Sequence, residues 1–239
     1  MKRISLLISA LLLTACQIHS DEGRRNKILK FTAKHPVAAQ AIGLPGEDAV
    51  NITGNAARFA LKTGLDNEAN GSEGLGTQVN AVRHALWQAA ISARFGTEIA
   101  EKIGNAYEDD TTIRENKTQY FSRAAADQAV DLRNNRIGRT IGAANPDAEM
   151  KVLVRAVINH YQKEGLWTAR PAAEKGRSIW RISRTKISRA EQQAVLEQIK
   201  TLDENGFAPE DQADTPPPPQ INTLSESTPE HLPNGAAHE

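Results

Sequence analysis

The sequence predicts an all-α fold, a compact multi-helix bundle with irregular loops and a disordered C-terminal tail. Two observations carry this. Between residues 28 and 206 apolar side chains recur at helical spacing with few β-branched alternations, and Ala, Leu, Arg, Glu and Gln, the good helix formers, dominate. After Gly206 the composition shifts to acids, Ser, Thr and Pro, including Pro216-Pro217-Pro218-Pro219, with too few apolar residues to offset the entropy of ordering.

Taken in order, Ile28 to Gly43 and Asn55 to Thr63 read as short helices, followed by a glycine-rich loop from Gly64 to Gly76. From Thr77 to about Phe95, the residues Val79, Val82, Leu86, Ala89, Ala90 and Ala93 make an apolar stripe that Gly96 ends. Thr97 caps a further helix through about Tyr107. Another runs from Ser122 to Ile141, and Asn145-Pro146 is expected to start the next, which carries Leu153, Val157 and Tyr161 inward and stops at Gly165. A short extended piece is expected at Ser178 to Ser183. Ser188 and Glu191 form a capping box for the last helix, which finishes near Asn205-Gly206.

The chain has 239 residues, a formal net charge of zero and a single cysteine. That length supports one domain with a real core, and one thiol excludes an internal disulfide or a cysteine-based zinc site. Zero net charge gives no global field toward nucleic acid, and no nucleic-acid partner is expected.

The N-terminus carries an address. Lys2 and Arg3 precede the apolar run Ile4 to Leu13, too short to span a bilayer, and the run ends at Leu13-Thr14-Ala15-Cys16. Residues 1–15 therefore read as a signal peptide, 16–27 as an N-terminal tether, 28–206 as the helical domain and 207–239 as the Pro-rich acidic tail. Leu13-Thr14-Ala15-Cys16 resembles the lipobox of bacterial lipoproteins. The resemblance implies cleavage before Cys16, acyl chains on its thiol and N-terminus as a stable membrane anchor, and, from Gln17 in place of Asp, sorting to the outer membrane.

Polar chemistry concentrates on three segments. Asn80, His84 and Gln88 stand at i, i+4 and i+8, on a face distinct from the apolar stripe. Glu108-Asp109-Asp110 follow a helix C-terminus, where the dipole disfavours negative charge. Asp127, Asp131, Asn134 and Gly138 share one face of the later helix with Asn135 beside it, and consecutive asparagines inside a helix point to side chains used for hydrogen bonding.

Arg83-His84-Ala85-Leu86-Trp87, the acid cluster and Asp131-Leu132-Arg133-Asn134-Asn135-Arg136-Ile137-Gly138-Arg139 resemble the signature of an uncharacterised bacterial domain found in surface, phage and toxin-like proteins. In that pattern an Arg-His-Ala-x-Trp helix pairs with a later His-Glu and an Asp-Leu-His-Asn-Asn-x-x-Gly-Arg helix. Tyr107 and Arg133 stand here where the pattern often has His, and Asn80 where it has an acid. The resemblance spans about Thr77 to Ile141 and implies no established activity.

Two readings of these residues stay open. In one, His84, Glu108 and Asp131 surround a polar pocket, Asn134 and Asn135 orient a ligand or an oxyanion, Arg83 holds an acid, and the set runs a hydrolysis of wall, lipid or a related substrate in the envelope. No cofactor is required, and a divalent metal on one histidine and two carboxylates is the weaker variant. In the other, the same residues form a buried network joining helices in a lipoprotein that serves as a scaffold, exclusion or immunity module. No Gly-x-Ser-x-Gly elbow, His-Glu-x-x-His motif or phosphate-cradling loop competes. Arg170, Arg177, Arg181 and Arg184 gather near Trp180 and are available to anionic lipid or cell-wall polymer.

Overall fold

The computed structural model describes residues 23–46, 48–66, 74–107, 113 and 116–213. The leader, Cys16, Glu108-Asp109-Asp110 and the proline run lie outside the described residues.

Residues 23–34 form α1, and the chain breaks at His35, which leaves the helical region before a proline with φ −134° and ψ 59°, so that Pro36–Ile42 is a separate α2. The expected single helix from Ile28 to Gly43 is therefore two. Asn51 caps α3 (Ile52–Leu61), its side chain accepting from Gly54 N. Thr77 caps α4 (Gln78–Phe95) in the same way through Asn80 N, and Asp66 accepts from the N–H groups of Gln78 and Val79 at 2.9 and 3.1 Å, so the helix start is doubly satisfied. Next come α5 (Thr97–Tyr107) and the two-residue strand β1 (Gln119–Tyr120). The chain continues through α6 (Arg123–Ala143), α7 (Met150–Lys163), β2 (Leu166–Glu174), β3 (Arg177–Thr185), α8 (Arg189–Thr201) and α9 (Pro209–Ala213).

The protein is thus mostly helical but not all-α. The extended piece expected at Ser178 to Ser183 is one strand of an antiparallel sheet of order β1-β3-β2. β2 and β3 form a hairpin closed by Lys175 and Gly176, with φ of 48° and 76°. Two consecutive positive φ values give the type I′ turn whose twist suits a two-residue hairpin. Pro171 is tolerated because β2 is an edge strand. A further correction concerns Asn145-Pro146: Asn145 Nδ2 donates to Ile141 O at 2.8 Å and closes α6, while α7 starts at Met150 behind Glu149. The described fold also runs past the expected boundary at 206, since Ala208 is buried and Asp211 pairs with Lys62 at 2.8 Å.

α4 is the axis of the core. Ala81, Val82, Ala85, Leu86, Ala89 and Ile91 are all buried, with α3, α5, α6 and α7 packed around them. Its pairing with α6 is the most intimate. A Cβ on Gly138 would collide with Ala85 O, and one on Gly142 with Ala89 O, so the lower half of this seam admits nothing larger than hydrogen. A second cluster of Tyr120, Ala126, Ala129, Val130, Ala169 and Ile182 buries one face of the sheet against α6. α6 is therefore held on two sides, by α4 and by the sheet.

Candidate functional site

The upper half of the α4–α6 seam is polar. Asn80 sits one turn inside α4 and is buried; its Nδ2 donates to Asp131 Oδ1 at 2.9 Å and to Asp127 Oδ1 at 3.1 Å, and its Oδ1 accepts from the Arg83 guanidinium. Asp127 also accepts from Gly76 N–H at 2.6 Å. Gly76 itself has a φ of 71° and lies against Ala169, so the loop before α4 can approach both α6 and the sheet only with glycine there. One amide side chain thus gathers two carboxylates one helical turn apart, and the loop supplies a further donor.

His84 is one turn further along α4. Its Nδ1 is 3.2 Å from Asn135 Oδ1 and its Nε2 is 3.4 Å from Asp131 Oδ2. An amide oxygen only accepts, so Nδ1 carries a proton. Nε2 then lies nearest a carboxylate oxygen of Asp131. Burial, reinforced by the adjacent Arg83 charge and opposed by Asn135, pushes the imidazole pKa down to about 3, which makes the ring neutral at pH 7. Burial also raises the Asp127 carboxyl above its ordinary range, against the Gly76 N–H and the charges of Arg83 and Arg123.

On the outer side of this network lies a pocket of about 280 Å³. Pro45, Thr53, Ala56 and Ala57 form one wall, and Arg83, His84, Trp87 and Tyr107 the other. Trp87 donates its indole N–H to Thr53 Oγ1 at 3.1 Å and meets Tyr107 edge to face at 5.4 Å, so the aromatic wall is fixed from both ends. The His84 side chain is 18% exposed here and Asp131 only 8%. Nδ1 is hydrogen-bonded to Asn135 and Nε2 lies 3.4 Å from Asp131, so both ring nitrogens have neighbours within the seam while the residue also lines the pocket.

The structure thus brings His84, Asp131, Asn135 and Arg83 together and sends Asn134 elsewhere. Asn134 is fully buried and pairs with Trp167 as a strand would, donating to its carbonyl and accepting from its N–H, both at 2.9 Å. The two adjacent asparagines serve different contacts: one holds the sheet, the other the histidine. Arg133 is structural in the same sense, donating to Ala129 O at 2.7 Å and Lys117 O at 3.0 Å with its guanidinium 4.8 Å from the Trp167 ring. Arg83, expected to hold an acid, binds an amide oxygen. Glu108 lies outside the described residues, among which no group of three or more His, Cys, Asp or Glu is placed to hold a metal.

Sequence reasoning missed Asp127 as a partner of Asn80, although Asp127 shares a face with Asp131. It also missed Thr53, which carries no motif. Of the four arginines in the hairpin, Arg170 and Arg181 stand directly opposite each other, Arg177 faces Glu174, and Arg184 donates to Gly165 O at 3.1 Å and contacts His160.

A family profile described as a domain of unknown function (DUF6973) matches residues 46–165, from the approach to α3 through the end of α7. The span contains the whole α4–α6 seam and every residue lining the pocket except Pro45, and it stops before the hairpin. No curated protein and no solved structure matches the chain.

Proposed function

Because the chain belongs to the DUF6973 family, whose name assigns no chemistry, we propose from its own residues that it is an outer-membrane-anchored bacterial lipoprotein whose helical domain is a binding module. The address rests on Lys2, Arg3, the short apolar run and Leu13-Thr14-Ala15-Cys16. Among the described residues no helix is long and apolar enough to cross a membrane. The acyl chains on Cys16 are then the membrane attachment.

One observation carries the binding reading: both nitrogens of His84 lie against seam residues, Asn135 and Asp131, while Trp87, Tyr107 and Arg83 line the pocket beside it. These three residue types are the ones that dominate protein–protein hot spots, and they stand around a small apolar recess. The seam behind them is a fastening that fixes their positions. The recess suits a partner segment presenting an apolar side chain beside a carboxylate, the carboxylate pairing with Arg83.

The chain from residue 16 onward with Cys16→Ser tests this with 3-phenylpropionate as a stand-in for such a side chain. The expected result is a shift of the Trp87 indole N–H resonance on titration, weakened by Arg83→Gln. Titration with no effect on that resonance, or equal affinity after Arg83→Gln, would overturn the reading.

A hydrolase reading keeps one observation on its side, the partial exposure of His84 next to Asp131. It requires the ring to release Asn135 or Asp131 and turn a nitrogen outward. Cleavage of an aryl ester above background that disappears in His84→Gln would replace binding by hydrolysis, with acetate or another acyl group transferred to water.

A further inference from the structure

A cleft larger than the pocket beside His84 opens elsewhere in the described structure. It lies between α1, α5 and α6, with a volume of about 690 Å³, inside the roughly 300–1,000 Å³ range of small-ligand sites. Its floor is apolar, built from Phe31 and Ala106, both buried, with Leu132 beside them. Its rim is basic. Lys27, Lys30 and Lys34 line it at i, i+3 and i+7 along α1, the same face that turns Phe31 inward.

Among the described residues nothing neutralises these three lysines. Lys102 on the opposite wall is paired with Glu98 at 2.7 Å, and among the described residues no carboxylate lines the cleft or pairs with Lys27, Lys30 or Lys34. A stripe of three cations over an apolar floor is complementary to an anionic headgroup with its first methylenes. The covalent chain adds a second constraint. Only residues 17–22 separate Cys16 from α1, and a chain spans at most about 3.5 Å per residue, so α1 starts within roughly 25 Å of that cysteine.

We propose that this cleft is a docking site for anionic phospholipid, through which α1 lies against the membrane that anchors Cys16. The inference rests on the lipoprotein reading for its geometry. The phosphate sits among the three lysines and the glycerol and upper acyl segment rest on Phe31, Ala106 and Leu132. The partner hairpin pair, Arg170 and Arg181, is a solvent-facing alternative with no such tie to the anchor.

The test uses the chain from residue 16 onward with Cys16→Ser, which retains every described element, and vesicles of phosphatidylcholine with or without phosphatidylglycerol. Binding is expected only with phosphatidylglycerol and falls with salt. Each lysine near an anionic surface is worth about fivefold in partitioning, so Lys27→Gln/Lys30→Gln/Lys34→Gln should lose roughly a hundredfold. The triple Arg replacement at the same positions keeps the charge and should bind like the parent, which separates charge from a folding defect. Arg170→Gln/Arg181→Gln should bind normally. Unchanged binding by the Gln triple, loss in the hairpin variant instead, or equal binding to pure phosphatidylcholine would overturn the proposal. Acylation is read separately, from the mass of the membrane-extracted wild-type chain. An unacylated Cys16 removes the anchor and leaves the vesicle result standing, so the two failures are distinguishable.

Discussion

His84 Nε2 and Asp131 Oδ2 meet at 3.4 Å across the α4–α6 seam, in a place where the ring's other nitrogen is already engaged by Asn135. A histidine held this way is tuned to stay neutral. Its pKa, pushed from 6.5 to about 3 mainly by burial, makes protonation in the folded state costly. The residue that most resembles a catalytic base is therefore first a pH-dependent part of the fold.

The sign of that dependence follows from linkage. The unfolded chain takes up a proton on His84 below about pH 6.5, whereas the folded chain does not until about 3, so stability is present above 6.5 and is lost as pH falls. Between pH 7 and pH 5 the loss assigned to this group is about 2 kcal/mol. Asp127 acts with the opposite sign: its folded carboxyl sits above the ordinary range, so it takes its proton before the unfolded chain does and offsets part of the loss at lower pH. Urea midpoints of wild type and His84→Gln measured at both pH values isolate the histidine from His35 and His160. Parallel losses in the two proteins would remove His84 as the cause.

Asn134 supplies a second prediction because it makes both of its bonds to one backbone unit while fully buried. Asn134→Asp keeps the shape but cannot donate to Trp167 O, and places a charge against a carbonyl. A loss of about 2–4 kcal/mol in unfolding free energy is expected, with the tryptophan fluorescence of the hairpin changing first. A variant as stable as wild type would mean that β2 is held to α6 by its apolar face alone.

α4 and α6 were legible because their periodicity is long, and Ser188 with Glu191 formed the expected capping box, both of its hydrogen bonds being present. The hairpin was not legible beyond Ser178 to Ser183. β2 reads Ala-Arg-Pro-Ala-Ala at its centre, without β-branched alternation, and it is a strand because β3 and α6 supply its partners. Asn145-Pro146 carries a helix-start signal but spends the amide on the preceding helix. At the site, consecutive asparagines announced hydrogen bonding, yet their separate targets depend on Trp167 and His84, which lie on different sides of α6. The bond from Gly76 to Asp127 joins residues 51 apart, a relation no local pattern encodes.

The Lys175-Gly176 turn leads to a stabilising substitution. Lys175 holds a φ of 48°, which a lysine adopts at a cost and an asparagine adopts readily. Lys175→Asn should raise stability by about 0.5 kcal/mol in a thermal melt. A lower midpoint would show that the lysine side chain contributes more than its backbone conformation costs.

The seam between α4 and α6 gives the sharpest stability test, because two opposing effects are set against each other at one atom. In an exposed helix, Gly→Ala gains about 1 kcal/mol from propensity. At Gly138 the added methyl would collide with Ala85 O and crowd the Gln88 side chain, which already lies fully buried against Gly104. Backbone cannot yield as a side-chain tip can, so overpacking of about 1–3 kcal/mol or more outweighs the propensity gain. Gly138→Ala is therefore expected to destabilise, and to do so by separating the helices, which also widens the His84–Asp131 contact above it. The exposed Thr140→Ala on the same helix should change stability by less than about 0.5 kcal/mol. Hydrogen exchange at the α4 amides separates the outcomes: faster exchange in Gly138→Ala alone places the cost at the seam, whereas a stabilised Gly138→Ala would mean that the two helices do not approach at Ala85.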